Sequence, residues 1–201
     1  MFRFLWITFR VVLLSALVGV VVVLALSPNP RLTVQEWMTY PNNDRYDGLI
    51  TDIAKKYEVE PELVKAMVWR ESSFQKNKQG KNGERGLMQV TEGAAKEWVK
   101  AQKIETFVPE DLFNEKTNVD AGTWYLKKSL DRWKEKDDPL VFALAEYNAG
   151  HGRVQHWIED SNMGKTATAA DLLDNMTFPG TRNYIDSITS RRDFYKKRGR
   201  L

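Results

Sequence analysis

Apolar residues run from Val11 to Leu26 without a charge, almost all of them Val, Leu or Ala. Phe4, Leu5, Trp6, Ile7 and Phe9 extend the run upstream. A run of this kind has no polar face to show to water, so it predicts a membrane-directed helix and not a core helix. The pattern then lapses. Residues 28–44 carry Pro28, Pro30, Pro41 and Asn42-Asn43 with little periodicity, and they read as a linker. From Tyr46 the spacing turns helical, with Tyr46, Leu49, Ile50, Ile53, Ala54 and Tyr57 on one face. After a short turn at 58–60, Pro61 and Glu62 suit the first turn of a second helix. Its stripe of Leu63, Val64, Met67 and Val68 lands, one turn on, at Glu71.

A polar loop from Gln75 to Arg85, with Gly80 and Gly83 as turn residues, leads into Gly86-Leu87-Met88-Gln89. Ala94, Ala95, Trp98 and Val99 then predict another helix, and Asn118, Val119, Gly122, Leu126, Leu130 and Trp133 a long one. Asp138 fits an N-cap, Pro139 a first helical residue and Gly150 a C-cap, which bracket a further helix over 140–149.

Composition narrows the chemistry. With no Cys, the chain has no disulfide, thiolate metal site, thiol nucleophile or Cys-linked lipid. A net charge of +3 is too small to argue for nucleic acid, although 191–200 gathers positive charge and reads as a solvated, frayed tail. The loop at 75–85 lacks the spacing of a phosphate-binding loop. His151 and His156 stand five apart and share no helical face, so neither a metal nor another cofactor is expected. Arg3 and Arg10 ahead of the apolar run keep the N-terminus in the cytoplasm and send the rest across. Two devices fit residues 1–27: a cleaved signal peptide, for which Ala25-Leu26-Ser27 offers small residues, or an uncleaved anchor. Pro28 directly after that site disfavours cutting and favours the anchor.

Glu71 is the residue to which chemistry attaches first. It emerges from the apolar edge of a helix near its C-terminal end, and both partial desolvation and the negative end of the helix dipole raise its pKa. A carboxyl that keeps its proton near neutrality can act as a general acid. Alone, such a Glu is more often an amphipathic boundary. Four segments change that reading: Glu71-Ser72 with Phe74, Gly86-Leu87-Met88-Gln89, Ala145-Glu146-Tyr147-Asn148, and Thr181-Arg182-Asn183-Tyr184. In this order, across Tyr46 to about Tyr195, they resemble the catalytic domain of the soluble-type (SLT) lytic transglycosylases, which cleave bacterial peptidoglycan.

That resemblance implies an all-α, lysozyme-like domain over 45–201. It also implies peptidoglycan glycan strands as the substrate, outside the inner membrane. The expected reaction cleaves the bond between N-acetylmuramic acid and N-acetylglucosamine and leaves a 1,6-anhydromuramyl end. Glu71 would serve as acid and then base, with the substrate's acetamido oxygen assisting. The resemblance further implies that Ser72 supports the sugar or the backbone turn and that Met88 shapes an apolar cleft wall. Gln89 and Asn148 would offer amides to the sugar. Tyr184, with Tyr147, would orient Glu71; Met88 and Tyr147 fit ordinary core positions equally well. The family usually has a small residue where Glu146 stands, and commonly one at Glu84. Both carboxylates are expected to face solvent; either one in the cleft could hold a water and convert the reaction to lysozyme-type hydrolysis. A non-catalytic peptidoglycan-binding module of an envelope-spanning machine is the rival from another class. Oligomeric state, and exolytic against endolytic action, stay open.

Overall fold

The computed structural model describes residues 2–27, 29–39 and 44–199. Its contacts divide the chain into an N-terminal unit, residues 1–40, and a second unit, residues 41–201. The N-terminal unit holds two helices, α1 (Phe2–Leu26) and α2 (Pro30–Thr39). Within α1, Thr8–Leu26 is long and apolar enough to cross a membrane, with a mean hydropathy of 2.7. α2 occupies a stretch whose sequence reads as linker. Its start is fixed locally: Asn29 Oδ1 accepts from Leu32 N at 3.1 Å, and the hydroxyls of Ser27 and Thr33 meet at 2.5 Å. Short-range capping of this kind leaves little trace in hydrophobic periodicity. The remainder of the expected linker, Pro28 and residues 40–43, lies outside the described residues.

The second unit is helical: α3 (Asp47–Lys56), α4 (Pro61–Ser72), α5 (Glu92–Gln102), α6 (Glu115–Arg132), α7 (Pro139–Ala149), α8 (His151–Asp160), α9 (Ala169–Asn175) and α10 (Pro179–Arg198). Single 3₁₀ turns stand at Pro109–Phe113 and Gly164–Thr166. β-type pairing among the described residues is limited to isolated bridges, Arg85 with Gln79 and with Val90.

Two buried helices organise the core. In α4, every residue from Leu63 to Val68 is buried, and in α7 every residue from Val141 to Glu146. A fully buried Leu, Val, Met or Phe contributes roughly 1.5–3 kcal/mol relative to exposure, so these two helices carry much of the fold. α10 packs along α4 and α7, α6 lies against α7, and α3 against α4. The expected caps of α7 are present: Asp138 Oδ1 accepts from Leu140 N at 3.1 Å and Val141 N at 3.3 Å, and Gly150 closes the helix.

Three charged groups lie buried where residue type alone would put them in water. Lys65 is buried in α4, held at 2.9 Å from Asp44 and 2.7 Å from Asp47, over the Tyr195 ring. The C-terminal basic run is not a frayed tail: α10 continues through it to Arg198. Arg191 is fully buried with its guanidinium 3.9 Å from the centre of the Trp69 ring, and Phe194 and Tyr195 are buried beside it. A residue count sees six cations between 191 and 200; helical spacing sends Arg191, Phe194 and Tyr195 inward together.

Glu146 is the third. It faces neither solvent nor cleft. At 1% exposure it accepts from Ser129 Oγ at 2.9 Å, Trp133 Nε1 at 2.8 Å and the Arg132 guanidinium, with His151 Nδ1 at 3.0 Å. Burial works to raise its pKa, but these four partners together hold it below the usual carboxylate range. The network ties α6 to both ends of the α7–α8 junction.

Candidate active site

α4 ends where the site begins. Ser73 (φ 51°) and Phe74 (φ 61°) both take left-handed backbone, turning the chain sharply after Glu71. Ser72 is buried, and its hydroxyl donates to Val68 O at 3.0 Å. The Lys78 ammonium reaches back from the loop and donates to the Glu71 carbonyl, satisfying one of the acceptors that a helix C-terminus leaves open.

The Gly86–Gln89 segment is fastened from below. Asn118 in α6 accepts from Met88 N at 2.7 Å and donates to Arg85 O at 2.7 Å and Leu112 O at 2.8 Å. Gly86 sits at φ +78°, and a Cβ there would run into Leu112 O and the Asn118 amide. Only glycine fits. Met88 is fully buried and lies behind the cleft wall, its sulfur and Cβ close enough to Gly122 that a side chain at 122 would strike them at 2.6 and 2.8 Å. Gln89, at φ 48°, donates through Nε2 to Lys78 O at 3.0 Å and Gly86 O at 2.9 Å, which binds the loop's two arms together.

A polar cleft of about 360 Å³ lies over these elements, lined by Arg70, Glu71, Lys78, Lys81, Glu84, Gln89, Tyr147, Asn148 and Tyr184 among others. Tyr184 in α10 donates to Glu71 Oε1 at 2.6 Å. The Arg70 guanidinium stands 5.6 Å from the centre of the Tyr184 ring. Tyr147 lines the same cleft but does not bond Glu71; its hydroxyl donates to Met88 O at 3.0 Å, and its ring meets Tyr125 edge-on at 5.8 Å. Asn148 presents its amide with Oδ1 held by Thr181 Oγ1 at 2.7 Å. Of the seven residues singled out in sequence, five converge on the cleft, and Ser72 and Met88 support it from within.

Burial raises the Glu71 pKa from 4.5 to about 7. The Tyr184 hydrogen bond and the nearby cations Arg70 and Lys78 oppose that rise, and Glu84 adds to it weakly. A carboxyl poised there is protonated about half the time at neutrality and can both give and take a proton. Glu84 does line the cleft, against its expected solvent-facing position. Partial desolvation works to raise its pKa, but hydrogen bonds from Asn82 N and Nδ2, each 3.0 Å, hold it below its ordinary value. The two carboxyls therefore differ in protonation, Glu71 half-neutral and Glu84 an anion. Arg70, Lys78 and Lys81 carried no periodic or motif signal in sequence. A loop lysine looks solvated until the loop folds back on the helix end. No group of three or more His, Cys, Asp or Glu is placed to hold a metal among the described residues. A larger hollow of about 510 Å³ near Trp133 and Ile158 is lined by none of the seven residues singled out in sequence, so the cleft at Glu71 is the better candidate site.

Residues 48–169 match the family model described as the transglycosylase SLT domain. The soluble lytic murein transglycosylase of Salmonella typhimurium is 28% identical over 152 residues, 75% of this chain and 23% of its own length. Membrane-bound lytic murein transglycosylase F of Desulfosudis oleivorans is 33% identical over 119 residues, 58% of this chain and 24% of its own. The crystal structure of the 70 kDa soluble lytic transglycosylase of Escherichia coli superposes with a TM-score of 0.67 at 27% identity, covering 76% of this chain and 24% of that one. The chain thus spans about a quarter of the length of these relatives. Tyr184 lies beyond the range of the family match, and its place beside Glu71 is a finding of the coordinates. The matched range takes in α4, the Gly86–Gln89 turn and α7, which with α10 build the cleft, and the chain belongs to the transglycosylase SLT domain family.

Proposed function

We propose that this chain is a peptidoglycan lytic transglycosylase and that Glu71 is its single general acid and base. The observation that carries the reading is one half-buried carboxyl with a pKa of about 7, hydrogen-bonded by Tyr184 and facing a polar cleft. Relatives named as lytic murein transglycosylases support the choice of glycan substrate. Glu71 first gives its proton to the oxygen leaving N-acetylmuramic acid, while the sugar's own acetamido oxygen attacks the anomeric carbon. The carboxylate so formed then takes the proton from the C6 hydroxyl of that muramic acid. The first step joins the acetamido oxygen to C1 as the C1–O4 bond breaks; in the second, O6 displaces that oxygen from C1 and closes the 1,6-anhydro ring, and no water enters. Gln89 and Asn148 hold the acetamido group and neighbouring hydroxyls, and Tyr184 keeps Glu71 in register. Acid–base transfer of this kind is worth roughly 10²–10⁴ in rate.

One observation favours a second reading. Glu84 is an anion in the same cleft, held by Asn82, and an anionic carboxylate there could position a water for lysozyme-type hydrolysis. For the N-terminus we take α1 as an uncleaved anchor, which puts the domain on the outer face of the cytoplasmic membrane. The direct test of Glu71 is Glu71→Gln acting on purified sacculi. Release of soluble glycan should fall by at least two orders of magnitude with the fold intact, and release at the wild-type rate would overturn the assignment.

A further inference from the structure

We infer that α2 is an interfacial helix, its Val34, Trp37 and Met38 face seated in the headgroup–acyl boundary of the membrane that α1 enters; this rests on reading α1 as an anchor. Val34, Trp37 and Met38 stand at i, i+3 and i+4, so they share one helical face. All three are exposed, at 39%, 45% and 80%. The residues turned inward are Leu32 and Thr33, at 7% and 8%. Val34, Trp37 and Met38 therefore lie on the uncovered side of α2.

The occupant follows from distance. The 19 residues of Thr8–Leu26 rise about 28 Å as helix, close to the roughly 30 Å hydrocarbon core of a bilayer. Leu26 then marks the edge of that core. Residues 27–29 can carry the chain at most about 14 Å before α2 begins. The turn there is tighter than that limit, because Asn29 N donates to Ser27 Oγ at 3.2 Å and the Ser27 and Thr33 hydroxyls meet. The polar layer beyond the core is only roughly 5–7 Å deep on each side, so α2 starts within or beside it. Its composition suits that layer. Trp37 is amphipathic, as interfacial aromatics are, and Arg31 in the first turn places a cation at the level of anionic headgroups.

Because the chain has no Cys, single cysteines can be placed without background. Full-length Met38→Cys and Leu14→Cys would each carry an environment-sensitive fluorophore in vesicles of phosphatidylethanolamine and phosphatidylglycerol. Lipid nitroxides and aqueous iodide serve as quenchers. The inference predicts blue-shifted emission at both positions, with most of the intensity lost to lipid nitroxide and little to iodide. A Leu14 label in lipid with a Met38 label quenched by iodide would overturn the interfacial helix and leave the anchor standing. A blue-shifted Met38 label insensitive to lipid nitroxide would overturn it too, since the face would then be covered by protein. A Leu14 label outside the lipid would overturn the anchor reading itself.

Discussion

Glu71 stands three and four residues beyond Val68 and Met67, both fully buried, and its carboxyl inherits their dry surroundings. Tyr184 counters this by stabilising the anion. Removing that hydroxyl leaves burial less opposed, so Tyr184→Phe should raise the Glu71 pKa and move the alkaline limb of kcat/KM to higher pH. An unmoved limb would reduce Tyr184 to packing. The same raised pKa fixes a stability trend. The folded chain keeps the Glu71 proton up to about pH 7, whereas the unfolded chain loses it near 4.5. Between those values the folded state binds more protons, so this group's contribution falls as pH rises. Glu71→Gln should therefore gain Tm over the wild type progressively across that window and level off above it. Calorimetry at several pH values measures this directly. Glu71 and Tyr184 were legible in sequence, the first from the end of an apolar stripe and both from the order of four short segments. Lys78 was not. Its contact with the Glu71 carbonyl depends on how an irregular loop doubles back, and no periodicity encodes that.

The helices around the cleft were largely visible in the apolar spacing and in Pro, Asp and Gly at their ends. Asp138→Ala should cost about 1 kcal/mol in chemical denaturation, the ordinary price of an N-cap. Gly86→Ala should cost more, roughly 1–3 kcal/mol from left-handed strain alone, because Leu112 O and Asn118 also leave no room. What the sequence could not show was how buried charge joins elements. Glu146, directly after the apolar run 140–145, reads in sequence as a solvent-facing carboxylate. In the folded chain it is the acceptor that α6 and the α7–α8 junction share. Glu146→Ala would strand Trp133 Nε1 and Ser129 Oγ as well as Arg132. Since Arg132 keeps a third of its side chain in water, the expected loss is roughly 2–4 kcal/mol, below that for a fully enclosed pair. Arg191 teaches the same lesson: its charge pointed outward on a count of residues, while α10 turns it onto Trp69.

At the scale of the whole chain, an apolar N-terminal helix precedes a helical domain that gathers one proton-holding carboxyl, two phenols and two amides in a single cleft. The central claim is that Glu71 alone closes the reaction on the substrate's own hydroxyl, with Glu84 anionic but uninvolved. Mass spectrometry of the muropeptides released by the wild-type chain from purified sacculi tests it most directly. The account predicts 1,6-anhydromuramyl ends, each lighter by one water than a hydrolysed end. Reducing muramic acid ends that take up oxygen from labelled water would contradict it and put Glu84 in the mechanism.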